Sequence, residues 1–245
     1  MTPRLFCPGE LVVGTTLALA EKPAHHARDV LRLTVDAEVT LLNGLGGEYR
    51  ARLAVVAKRA VEAEILEFRQ RESEAPYPVT VAQSLAGGDK MDWVIEKSVE
   101  LGATTIVPLA ASRSVLRLHP ERAAKRLEHW RAIAHSACEQ CGRNRIPAIA
   151  AVSSIDHWLA SMREHAGLKL MLSPVHATRF SSLPKPAAGT LVTLLIGPEA
   201  GLSDTEEALA QSAGFQPILL GPRVMRTETA ALAALAAIHA RWGDF

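Results

Sequence analysis

Near the C-terminus two apolar runs each break into a Gly-Pro loop and restart as a helix, and no other feature narrows the fold of this chain so far. The first, Leu191-Val-Thr-Leu-Leu-Ile196, runs into Gly197-Pro198-Glu199-Ala200-Gly201, and the second, Ile218-Leu-Leu220, runs into Gly221-Pro222-Arg223-Val224-Met225-Arg226. A nearly continuous apolar run bounded by turn residues fits a strand buried on both faces of a parallel sheet. A third run, Leu168-Lys-Leu-Met-Leu172, ends in Ser173-Pro174 in the same way. Ligands of open α/β sheets sit beyond the carboxyl ends of the strands. Three strand ends of one design therefore point to one shared pocket.

The loop residues fit that role. Gly197, Gly201 and Gly221 permit positive φ and close backbone approach, whereas Pro198 and Pro222 fix φ and remove an amide. Ser203-Asp-Thr-Glu206 has capping-box spacing and predicts a helix start. Thr227 or Thr229 can cap the last helix, with Glu228 in its first turn.

A chain of 245 residues, 48% hydrophobic and 22% charged, is of a soluble globular kind and has room for two domains. Residues 31–35, 38–42, 49–56 and 61–68 alternate apolar stretches with polar turns, and Asn43-Gly44 with Gly46-Gly47 reads as a hairpin connection. This predicts a small antiparallel β barrel or sandwich. The polar, proline-bearing segment Arg71 to Pro78 is the candidate linker, which divides the chain into domains 1–72 and 76–245. Beyond it the pattern is β/α: a strand at 79–83, a helix capped by Asp89 and ended at Gly102, a strand at 104–109, and a long helix at 120–141. The alanine-rich helix 230–242 has little polar surface, so it must be buried, either against the sheet or in a subunit interface.

Several classes are excluded. No run of 18 apolar residues exists, so no transmembrane helix is expected. Residues 11–20 faintly resemble a signal peptide, but Pro8-Gly9-Glu10 interrupts them and the segment is expected to be retained. Three cysteines, an odd number, agree with a reducing cytoplasmic setting. Cys138 and Cys141 have redox-motif spacing but lie late in a helix, where packing explains them better. The nine histidines offer no paired ligand spacing, so no metal is expected. Net charge is only +1, yet eight Lys or Arg stand against three Glu between Arg113 and Arg145. Such a stretch suits phosphate-backbone binding, although a solvated helix face explains part of it. With 4% aromatic residues, base stacking is scarce and recognition by shape and backbone is favoured.

The segments GPEAGLSDTE (197–206), LGPRVMRTETAALAAL (220–235), GGDKMDWVIEKSVELGA (87–103) and EQCGRNRIP (139–147) resemble the RsmE family of SPOUT-class methyltransferases. HHARDVLRL (25–33) and LLNGLGGEYRARL (41–53) resemble that family's RNA-binding domain, so the likeness covers almost the whole chain. Ala200 stands where the family usually has Gly, and Cys141 where it usually has Ser.

The resemblance implies an α/β fold: a SPOUT-type parallel sheet with a C-terminal trefoil knot, preceded by a small PUA-like β-barrel. It implies S-adenosyl-L-methionine as cofactor and methylation of uracil N3 at one uridine of 16S ribosomal RNA, within the assembled small subunit. It further implies a cytoplasmic homodimer. The methyl donor would be held by Leu172, Ser173, Pro174, Ile196, Gly197, Pro198, Glu199, Gly201, Leu219, Leu220, Gly221, Val224 and Met225, with Thr229 and Ala230 closing the pocket. Arg226 is the candidate cation for charge developing on the uracil carbonyls, or else a structural partner of Glu199 or Glu228. Either of those acids can accept the N3 proton, and the base stays unassigned. Arg28, Arg32, Arg113, Gln140, Arg143 and Arg145 are the candidate RNA contacts. A non-catalytic dimeric RNA-binding module is disfavoured by the intact Gly-Pro loops and Arg226. A nucleotide-dependent oxidoreductase is disfavoured because no G-x-G-x-x-G follows any strand.

Overall fold

The computed structural model describes residues 2–116, 119–175 and 177–245. The chain forms two compact units, Met1–Glu74 with His135–Ile146, and Ala75–Ala134 with Pro147–Phe245.

The first unit contains β1 (Arg4–Phe6), β2 (Thr16–Ala18), α1 (Glu21–His25), β3 (Glu38–Leu42), β4 (Glu48–Ala57) and β5 (Ala60–Arg69). Its five strands lie in the order β1-β3-β4-β5-β2. Strand periodicity sorts the side chains: Val61, Ala63 and Ile65 of β5 are buried with Leu5, Val39, Leu41, Ala51 and Leu53, while Glu62 and Glu64 between them face outward. The hairpin expected at residues 43–47 joins the antiparallel pair β3 and β4. Two expectations need correction. Residues 31–35 form no strand, because Arg32 and Asp36 take positive φ of 53° and 67° and turn the chain. The sheet is also not wholly antiparallel, since β1 runs parallel to β3.

The segment read as a linker is tied down by charge. Arg71 pairs with Glu48 at 3.0 Å, Glu72 accepts the Gly47 N–H at 2.9 Å, and Glu74 holds Arg143. Residues 135–146, assigned from sequence to the second domain, group with the first unit. Ala137 and Cys138 are buried, and the Glu139 carboxylate accepts the Phe6 N–H at 2.6 Å. Burial pushes the Cys138 thiol up to about 12, which leaves it a packing residue.

In the second unit follow β6 (Val79–Ser84), α2 (Lys90–Glu100), β7 (Ala103–Ala110), α3 (Pro120–Cys141), β8 (Ala148–Ile149), β9 (Ser153–Ser154), α4 (Ile155–Met162) and β10 (Leu168–Leu172). After these come β11 (Thr178–Arg179), β12 (Val192–Ile196), α5 (Asp204–Ser212), β13 (Gln216–Leu219) and α6 (Thr227–Trp242). The last turns of α3 belong to the first unit. The sheet order is β11-β13-β10-β12-β6-β7-β8, with β9 beside β7, and every pairing is parallel. All five residues of β12 are buried, as a strand covered on both faces requires.

Helix α2 buries Met91, Val94, Ile95, Ser98 and Val99, a 3.6-residue stripe, and ends where Gly102 takes φ +82°. Asp89 occupies its N-cap position, but the side chain makes no capping bond. Helix α6 packs Ala231, Ala234, Leu235, Ile238 and Trp242 inward, in contact with α2, β6 and β12. Its other face leaves Leu232, Ala233, Ala236 and Ala237 only partly buried.

Candidate active site

Strands β13, β10 and β12 are neighbours and parallel, so the loops after them leave the same edge of the sheet. After β10, the Ser173 N–H donates to the Ile218 carbonyl at 3.1 Å and its hydroxyl accepts the Val175 N–H at 3.2 Å, which fixes the turn into Pro174. After β12, the backbone folds so closely that a Cβ on Gly197 would lie 3.1 Å from the Leu202 nitrogen. Gly201 sits at φ +72°, and its N–H closes the turn onto the Pro198 carbonyl at 2.9 Å. Ser203 and Glu206 then form the reciprocal capping box that starts α5. After β13, a Cβ on Gly221 would meet nothing within 4 Å, and Val224 is 85% exposed. This leaves the loop backbone open to a ligand.

The start of α6 differs from expectation. Arg226 holds the N-cap position without a side-chain cap, and Thr229 is exposed. Thr227 is the first helical residue. Its hydroxyl donates to the Gly197 carbonyl at 2.6 Å and accepts from Gln83 Nε2 at 2.7 Å. Instead of capping a helix, Thr227 joins β6 to the loop after β12.

Lys90, which the sequence reading overlooked, organises the charge. Its Nζ lies 3.0 Å from Glu199 Oε1 and 3.6 Å from Glu228 Oε2. Glu199 also accepts the Gly87 N–H at 3.1 Å. Burial alone would raise the Glu199 carboxyl, but its own and the Gly87 backbone N–H together with Lys90 hold it below the usual carboxylate range. Among the described residues Arg226 therefore pairs with neither acid, and it is exposed. The Gly87-Gly88-Asp89-Lys90 segment was the available signal, a glycine turn and a cation at a helix start after a strand.

The RNA candidates disperse. Arg28 is held by Asp29 at 2.6 Å, Arg32 and Gln140 are exposed, and Arg145 pairs with Glu72 at 3.3 Å while staying half exposed. Arg113 donates to the Leu202 carbonyl at 3.0 Å, bracing the loop before α5. Arg143 is a correction: its side chain is 3% exposed against Glu74, so it cannot reach a phosphate without leaving an unpaired buried charge. The basic stretch is divided between the two units, and its Arg117 lies outside the described residues.

A parallel α/β sheet with three clustered strand-end loops, on a chain that also carries a small β unit, has clear counterparts. The RNA methyltransferase domain family matches residues 73–239, and the RNA methyltransferase PUA domain family matches residues 19–66. Ribosomal RNA small subunit methyltransferase E of Bacillus subtilis is 35% identical over 91% of this chain and 89% of its own length. That of Synechocystis is 34% identical over 98% and 78%. The crystal structure of this enzyme from Neisseria gonorrhoeae, bound to S-adenosyl methionine, aligns with a TM-score of 0.93 and 41% identity over the whole of both chains. A Legionella pneumophila methyltransferase solved with the bound cofactor SAM aligns at 0.94 and 38%, again over both whole chains. The chain belongs to the ribosomal RNA small subunit methyltransferase E family.

Proposed function

We propose that this protein transfers a methyl group from S-adenosylmethionine to N3 of one uridine in 16S ribosomal RNA, with the loops after β10, β12 and β13 as the methyl-donor pocket. The observation that carries the reading is the gathering of these three loops on adjacent parallel strands, in a chain whose relatives are named for small-subunit ribosomal RNA methylation. The residues present fit such a ligand. Gly221 leaves its backbone accessible, and at the end of β6 the buried Gln83 Oε1 and Ser84 Oγ have no hydrogen-bond partner among the described residues. Leu172, Ile196, Leu219, Leu220 and Met225 supply apolar contact, while Ser173, Pro174, Gly197, Pro198 and Gly201 shape the backbone. The knotted threading of these loops rests on the family resemblance.

When bound, S-adenosylmethionine supplies an electrophilic methyl group. The protein must hold the uracil in line with it, and orientation supplies a large part of such a barrier. Uracil N3 loses its proton, and charge develops on the flanking carbonyls. Arg226, without a carboxylate partner among the described residues and next to the loop, stabilises that charge. Glu199 is a weak proton acceptor because its ionised form is already held by Lys90 and Gly87. Glu228 is held less firmly: its buried Oε2 lies 3.6 Å from Lys90 Nζ and makes no hydrogen bond among the described residues, which makes it the better acceptor of the two.

The first unit supplies RNA contact through Arg32, Gln140 and Arg145, and the second holds the methyl donor. A homodimer through the open face of α6, acting in the cytoplasm on assembled small subunits, completes the proposal. The test is methylation of purified small subunits lacking the modification, followed by mass mapping of the digested 16S RNA. One added N3-methyluridine per subunit is expected. No transfer by protein that binds both methyl donor and subunit would overturn the reading.

A further inference from the structure

We propose that a cleft in the first unit, between α1 with its π-helical extension His26–Val30 and the β4–β5 turn, binds the phosphodiester backbone of the RNA. The inference rests on the ribosomal RNA reading above and names a surface for it.

The cleft has a volume of about 750 Å³, within the range of ligand-holding cavities. Its wall carries Lys22, His25, His26, Arg28, Lys58 and Arg59, and Glu21 is the only acid among its lining residues. Leu19, Ala24 and Val61 provide an apolar floor against which a ribose can rest.

The pairing of charges distinguishes this wall from an ordinary solvated surface. Elsewhere in this unit four arginines are neutralised: Arg50 lies 3.0 Å from Glu38, Arg52 2.7 Å from Glu64, Arg69 2.9 Å from Glu67, and Arg71 3.0 Å from Glu48. Among the described residues of this unit, Lys22, Arg32, Lys58 and Arg59 have no carboxylate within 4 Å, and all of these but Arg32 line the one cleft. These three cations outnumber the one lining acid, Glu21; like charges repel one another, and a polyanion that fills the gap relieves the repulsion. Phosphate contacts of this kind fix position and carry no base information.

Arg28 has a different part here from the one expected of it. Its guanidinium is engaged by Asp29 and donates through Nη1 to the carbonyls of Ala57 and Lys58, at 3.3 and 2.9 Å. It braces the β4–β5 turn against the helix and holds Lys58 and Arg59 at the mouth. The exposed His25, whose Nε2 lies 3.7 Å from Asp29 Oδ2, and the partly buried His26 add ring N–H groups suited to phosphate oxygens.

The test compares the full-length wild-type protein with the triple variant Lys22→Gln, Lys58→Gln, Arg59→Gln, and with Arg52→Gln as a control from the paired arginines. Binding to small subunits is measured across salt concentrations, with methyl-donor affinity by calorimetry and the thermal midpoint as a check on folding. The triple variant is expected to flatten the slope of log K against log salt by about two, at about 0.7–0.9 per lost phosphate contact, and to raise KM for subunits about tenfold or more. Its kcat, methyl-donor affinity and thermal midpoint should match wild type, and Arg52→Gln should change none of these. An unchanged slope and KM in the triple variant would overturn the proposal. So would displacement of the RNA by inorganic phosphate at matched ionic strength, which would mark a free-phosphate site. Failure of the wild-type protein to methylate while it still binds RNA would instead count against the catalytic reading, and the slope comparison would still decide the cleft.

Discussion

Arg226 and Lys90 divide the positive charge of the active site between two jobs. Lys90 is committed to Glu199 and Glu228, which leaves Arg226 without a carboxylate among the described residues. Arg226→Ala should therefore lower kcat about a hundredfold, the scale expected when one preorganised charge stabiliser is lost, with methyl-donor affinity nearly unchanged. Parallel calorimetry and turnover measurements check this, and equal losses in both would make Arg226 a methyl-donor ligand. Lys90→Met leaves two carboxylates facing each other with no cation between them. The Glu199 loop then loses the cation that anchors it, so methyl-donor Kd should rise several-fold. Lys90→Arg should recover part of the loss, because it restores charge though not geometry. A wild-type Kd in Lys90→Met would show that the ion pairs do not shape the loop.

At the scale of elements, single side chains close gaps that helices and strands leave. Glu206 is buried and serves two elements: it accepts the Ser203 N–H at 2.8 Å as N3 of the capping box, and the Ser112 N–H after β7 at 2.7 Å. Burial alone would raise its carboxyl, but these backbone N–H groups outweigh it and hold it below the usual range. A depressed folded-state pKa contributes stability that is present above the unfolded value, about 4.3 for Glu, and lost as pH falls through the folded one. The thermal midpoint of Glu206→Gln should thus be lower than wild type at pH 7, and the gap should narrow as pH drops below about 4.3. A constant gap from pH 7 to acid would show that its ionisation plays no part. Lys169 explains the one charge in the apolar run of β10: its amine donates to the Met162 and Ala213 carbonyls, satisfying the C-terminal ends of α4 and α5. Lys169→Met should cost roughly 1–3 kcal/mol, since the Ala213 carbonyl loses its partner in a buried site while the Met162 carbonyl keeps only the His165 N–H, measurable by urea unfolding.

For the whole molecule, α3 matters because its last turns belong to the first unit while its start belongs to the second. Deleting residues 1–70 would expose Ala137 and Cys138, so point variants separate the two units' roles more cleanly than truncation. The open face of α6 supports the proposed dimer: Leu232, Ala233, Ala236 and Ala237 share the side opposite Ala231, Leu235 and Ile238. Sedimentation at micromolar concentration should give twice the chain mass of 26.3 kDa. Ala233→Glu with Ala237→Glu should shift it to monomer with α6 still folded. A wild-type monomer that methylates subunits would overturn the dimer.

What the sequence by itself determined was local. The apolar runs 168–172 and 191–196 announced themselves as buried strands, 79–83 as a strand and 120–141 as a long helix, because period and turn chemistry are properties of neighbouring residues. The two- and three-residue strands β1, β2, β8, β9 and β11 carried no such signal, since so short a strand exists only through its partner. At the site, the Gly-Pro loops were legible and the pairings were not. Lys90 and Glu199 are 109 positions apart, and Gln83 and Thr227 are 144 apart. Arg143 read like any other exposed arginine until Glu74 was seen to bury it. Which charge is quenched and which is free depends on distances in space between residues far apart along the chain, and only the tertiary structure sets those.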